Sequence, residues 1–107
     1  MLSLQAIVYR YMDVLGMPAW PIEARYALPG EIRPGSVGQL NWAINDGHFT
    51  GTILVAPIGA HDHEVTVVHE LCHIPLLKCP PRGRRAAACQ ELAIDQFAEA
   101  LVKLARR

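Results

Sequence analysis

Apolar positions along the chain change period from helical to alternating and back. Over residues 3–15, Leu4, Ile7, Val8, Tyr11, Val14 and Leu15 recur at helical spacing, with Ser3 placed to cap the helix and Gly16 to end it. "PIEARYALPG" (21–30) then alternates, with Ile22, Ala24, Tyr26 and Leu28 on one side and Glu23 and Arg25 on the other, which predicts a half-buried strand bounded by prolines. "SVGQLNWAI" (36–44) puts Leu40, Trp42 and Ile44 on one face. "NDGH" (45–48) carries the Asp46-Gly47 hairpin signal. "FTGTILVAP" (49–57) returns as a strand with Phe49, Gly51, Ile53 and Val55 facing one way, stopped by Pro57. Asp62 is placed to cap a helix over Glu64 to Ile74, which Pro75 ends. After the proline- and glycine-rich "KCPPRGRR" (78–85), an alanine- and leucine-rich stretch from Arg85 to Ala105 predicts a long last helix. The expected fold class is α+β, with a sheet of about three strands, at least two of them in a hairpin.

The 107 residues suit one domain spanning 1–107, and a hydrophobic fraction of 51% with 19% charged residues suits a packed core. Net charge is zero, so no overall field points to nucleic acid or an anionic membrane. The basic "PPRGRR" and the terminal "ARR" read as a solvated loop and tail. No apolar run is long enough to span a bilayer. Arg10 and Asp13 interrupt the apolar N-terminus, which suits a helix of the fold better than a signal-peptide core. Three cysteines, Cys72, Cys79 and Cys89, without a secretion signal favour reduced thiols in a cytoplasm, and their spacing matches no common zinc knuckle.

The helix over 64–74 holds the candidate chemistry. Val65, Val67, Val68, Leu71, Cys72 and Ile74 cover most of its circumference, which predicts burial. Thr66, His69, Glu70 and His73 share the remaining arc. His69 and His73 lie four apart, so both rings leave one face and can reach one metal ion. Glu70, beside His69, points around the edge of that face, where it can touch a water but not easily ligate the same ion. This is the H-E-x-x-H arrangement of a metal-assisted hydrolase. Two ordinary core histidines at this spacing are the bland alternative.

A catalytic zinc needs a third protein ligand. The choices downstream are Glu91, Asp95 and Glu99, with Cys79 and Cys89 as soft alternatives. On the last helix, Ile94, Phe97, Ala98, Leu101, Val102, Leu104 and Ala105 form an apolar face. Glu91 falls inside it and Asp95 at its margin, whereas Glu99, Lys103 and Arg106 fall opposite. A carboxylate in an apolar arc needs a cation, which selects Glu91 for zinc; a salt bridge to Arg82 or Arg84 is the competing account. Asp95, one turn on, can accept the second ring N–H of a ligand histidine. Glu99 is expected to pair with Lys103.

"VVHELCHI" followed by "QELAIDQFAEAL" resembles the gluzincin metallopeptidases, most closely the small minigluzincin (ImmA/IrrE-like) branch of phages, prophages and bacteria. The likeness covers about residues 50–105 and rests on His69, Glu70, His73, Glu91, Asp95 and the Phe97-Ala98 pair. It implies a zinc cofactor, hydrolysis of peptide bonds with Glu70 as general base, and a peptide or protein substrate, regulatory proteins among them. It further implies a three-stranded sheet packed on the active-site helix, a "glutamate helix" carrying Glu91, and an edge strand that takes the substrate as an added strand, for which "HFTGTILVA" (48–56) is the candidate, the alternative being that this strand is interior and another forms the edge. Larger gluzincins draw an oxyanion-stabilising His or Tyr from a further domain. Here Tyr26, His48, His61, His63 or an arginine is left for that role, although His61 and His63 also read as solvated loop histidines. A zinc-stabilised protein-interaction module without catalysis is the alternative function.

Overall fold

Strand β1 (Ile22–Tyr26) lies parallel to β3 (His48–Val55), and β3 lies antiparallel to β2 (Gly38–Asn45), in the order β1-β3-β2. The computed structural model describes residues 3–59 and 61–107. Helices α1 (Leu4–Val14), α2 (His63–His73) and α3 (Arg84–Ala105) complete an α+β fold, with a short 3-10 helix at Ile74–Lys78 following α2. No helix among the described residues is long and apolar enough to cross a membrane.

The local signals operate as their chemistry predicts. Ser3 Oγ accepts from the Ala6 N–H at 3.1 Å and caps α1; Asp62 Oδ1 accepts from the Val65 N–H at 3.1 Å and caps α2. Asp46 and Gly47 both take positive φ, 51° and 78°, the mirror-image turn whose twist suits a two-residue hairpin. Pro75 ends α2, but the chain winds on as the 3-10 helix, because proline is tolerated in a first turn, where its missing N–H has no helical partner.

One face of the sheet, with Ile22, Ala24, Phe49, Ile53 and Val55, packs under α1 and α2. Helix α2 is buried through Val67, Val68, Leu71 and Cys72, and α3 adds Ile94, Ala98 and Val102 by packing on α2.

One expectation is corrected here, and two apolar faces are only partly covered. The strand "HFTGTILVA" is the centre of the sheet, hydrogen-bonded on both sides, so it has no free edge; the edges are β1 and β2. Trp42 and Ile44 lie on the inner face yet are 48% and 60% exposed. An 11-residue helix is about 16 Å long, whereas eight-residue β2 runs about 26 Å, so the hairpin tip projects beyond its cover. Phe97 and Leu104 are also largely exposed, because the covered side of α3 runs through Ile94, Ala98 and Val102, with Leu101 and Ala105 partly buried beside them.

Candidate metal centre

The buried core of α2 fixes the position of its polar arc. Thr66 and Glu70 are buried and His69 and His73 half-buried, and all four line one cleft between β2, α2 and α3. Gly38 opens this cleft. A Cβ there would stand 2.5 Å from Cγ2 of Thr66 and 3.3 Å from Oε2 of Glu70, so only glycine lets the β2 backbone run this close to the helix.

The two histidines and Glu91 converge. Nε2 of His69 and Nε2 of His73 are 3.2 Å apart, and the Glu91 carboxylate reaches them with Oε2 at 3.0 Å and Oε1 at 2.9 Å. One ligand atom from each residue lies within 4.8 Å of the others. Tetrahedral zinc with bonds of 2.0–2.1 Å has ligand atoms about 3.3 Å apart, close to this triangle.

The hydrogen-bond geometry is also compatible with a cation. Oδ1 of Asp95 lies 2.6 Å from Nδ1 of His69, which places the ring proton on Nδ1. The lone pair of Nε2 then faces the Glu91 carboxylate at 3.0 Å. Two acceptors this close need a positive charge between them, a metal ion or a second ring proton. Burial, opposed by the Glu91 charge, holds the His73 imidazole below the usual histidine value, towards the neutral form that ligates metals. These residues therefore fit a zinc ion as a two-histidine, one-carboxylate set.

Glu70 stands apart from the triangle, with Oε2 3.9 Å from Nε2 of His69. Burial pushes its carboxyl up to about 7; the carboxylates of Glu91 and Asp95 add to this and His69 opposes it. A carboxylate with its proton affinity near neutrality is suited to proton transfer.

The helical wheel pointed to Glu91 through a burial that the structure does not show. Glu91 is not buried: its side chain is 51% exposed, and that of Asp95 56%. Both reach the histidines across the mouth of the cleft. No ion pair joins Glu91 to Arg82 or Arg84, nor Glu99 to Lys103, among the described residues. Glu99, Lys103 and Arg106 do not lie on an opposite face. They continue the stripe of Glu91 and Asp95 along the cleft wall, four residues apart as far as Lys103, with Arg106 three residues on. Cys72 is buried, and Cys79 and Cys89 are exposed and outside the cluster.

The remaining histidines separate. His63 is the first residue of α2, and its Nδ1 is hydrogen-bonded to the Tyr26 hydroxyl at 3.0 Å, so it is not a solvated loop residue. His61 lines the cleft with both ring nitrogens enclosed, whereas Tyr26 and His48 are not among its lining residues. Arg33 and Gly38 also line the cleft. Sequence reasoning missed both; the glycine inside a strand pattern was the available signal.

Comparison with protein families, with curated proteins and with solved structures finds no match.

Proposed function

We propose that this chain is a zinc-dependent metallopeptidase of the gluzincin kind, with α2 as its H-E-x-x-H helix and α3 as its glutamate helix. The observation that carries the reading is the convergence of His69, His73 and Glu91 from two helices beside a buried Glu70. His69, His73 and Glu91 would hold the ion. Asp95 keeps the His69 ring oriented and its Nε2 free of a proton. A bound zinc would supply Lewis acidity to a carbonyl and to a water. Glu70 would accept the proton of a water attacking the carbonyl carbon and return it to the nitrogen as the C–N bond breaks.

The substrate strand is assigned to β2. Asn45 and His48 close the two-residue hairpin, and the Ala56 N–H donates to the Val37 carbonyl at 2.8 Å. Hydrogen-bonded pairs alternate in an antiparallel ladder, so odd-numbered β2 residues bond to β3. Gly38, Leu40, Trp42 and Ile44 turn their backbone N–H and C=O groups outward, where an extended peptide can add.

A zinc-stabilised interaction module is the second reading, favoured by the contacts that clamp α3 onto α2 through His69, Glu91 and Asp95. Metal analysis combined with peptide cleavage separates the two. Wild type and Glu70→Gln are expected to carry about one zinc per chain, with cleavage falling at least about a hundredfold in the variant. Zinc in both forms with cleavage in neither supports the interaction module; absence of zinc removes both readings.

A further inference from the structure

The cleft is not uniform along its length. Near Gly38 its walls are polar, with Thr66 and Glu70. The chain doubles back between β3 and α2, so α2 runs in the same sense as β2. Further along, the strand reaches Leu40 and Trp42 while the helix leads into Leu77, and all three line the same cleft. Trp42 is 48% exposed and is held in place: its ring stacks on buried Phe49 at 6.3 Å between centroids and 13° between planes, and Trp20 packs on the other ring contact of Phe49 at 5.1 Å. An ordered tryptophan half-open to a cleft is a pre-formed apolar wall, because little side-chain freedom is left to lose when something covers it.

We infer that Leu40, Trp42 and Leu77 form a subsite for one bulky apolar side chain of the substrate, on the amino-terminal side of the bond that is cut. The inference rests on the peptidase reading and narrows its substrate class. A peptide added antiparallel to β2 pairs through the outward groups of Leu40 and Trp42. A residue opposite Leu40 then puts its side chain on the same face as Leu40 and Trp42, towards the cleft. Such a peptide runs from the Trp42 end to the Gly38 end. The residue at Leu40 and Trp42 therefore precedes the bond lying beside Glu70, which is adjacent to Gly38.

Two measurements test this. Zinc-loaded wild type is given a mixture of random-sequence peptides and the new termini are identified by mass spectrometry. Separately, calorimetry on zinc-loaded Glu70→Gln compares alanine-based peptides carrying one Phe, at each position in turn, with the all-alanine peptide. The expected result is enrichment of Phe, Leu, Met or Trp before the cut bond, and binding of the best Phe peptide about tenfold tighter than alanine, the scale of an apolar pocket contact. Both preferences are lost in Trp42→Ala at unchanged zinc content; Leu77→Ala provides the second variant if that protein does not fold. Cleavage without an apolar preference, or with one that both variants retain, overturns the subsite and leaves the peptidase reading standing. If zinc-loaded wild type cuts nothing, the peptidase reading fails and calorimetry decides the subsite. A Phe preference abolished by the Trp42 change upholds it, and equal or absent binding overturns it.

Discussion

Asp95 Oδ1 lies 2.6 Å from Nδ1 of His69, so a residue on α3 sets the tautomer of a histidine on α2. The orientation matters because it turns the Nε2 lone pair towards His73 and Glu91. Asp95→Ala is expected to lower zinc affinity about 10–100-fold, the usual cost of losing such a partner. Asp95→Asn, which keeps an acceptor oxygen but not the charge, falls between the two. Competition with a chromophoric chelator checks both variants.

Gly38 and Thr66 form a second coupled pair. Gly38→Ala forces a methyl to within 2.5 Å of Cγ2 of Thr66, and the expected cost is that of overpacking, about 1–3 kcal/mol. Thr66→Ser removes the clashing methyl and keeps the hydroxyl that donates to the Asp62 carbonyl at 2.9 Å. The double variant should recover much of the loss, which urea unfolding of the four proteins in a double-mutant cycle measures.

Tyr11 is fully buried, and its hydroxyl donates to Oε2 of Glu64 at 2.6 Å, tying α1 to the first turn of α2. Burial and this carboxylate push the phenol up to about 12. Tyr11→Phe is expected to destabilise by about 1.5–3 kcal/mol, the range for a hydrogen bond to a charged group. Zinc affinity should not change, because Glu64 also pairs with Arg106 and lies outside the triangle of His69, His73 and Glu91.

Acid sensitivity should trace in part to Glu31. Its paired contacts to Arg25, both at 2.8 Å, and the Leu28 N–H hold its carboxyl down at about 2. A carboxyl lowered in the folded state stabilises above its unfolded value, near 4.5, and that contribution is lost as pH falls towards 2. The fall in urea midpoint between pH 5 and pH 3 should therefore be smaller in Glu31→Gln than in wild type. An equal fall in both assigns the acid sensitivity elsewhere.

Element types, both helix caps and the hairpin turn were legible because each depends on residues adjacent in sequence, such as Ser3, Asp62 and Asp46-Gly47. The pair His69 and His73 was legible for the same reason, being one turn apart. What periodicity does not encode is which surface a neighbour covers. Phe97 and Trp42 sit on the apolar sides of α3 and β2 and stay exposed because the elements packed on α3 and β2 cover only part of each. Glu91 was selected for burial it does not have; it meets the histidines because α3 crosses α2 with that turn facing them. The place of β3 at the sheet centre depends on the long-range parallel pairing with β1, which no local signal in "PIEARYALPG" announces.

The central claim concerns the atoms around one ion, and zinc K-edge X-ray absorption on the purified protein reads them directly. The expected spectrum shows nitrogen and oxygen neighbours alone at about 2.0–2.1 Å, with the multiple scattering of two imidazoles, and loses intensity at that distance in Glu91→Ala. A sulfur shell at about 2.3 Å, or a spectrum unchanged by Glu91→Ala, contradicts the assignment of His69, His73 and Glu91 as the ligands.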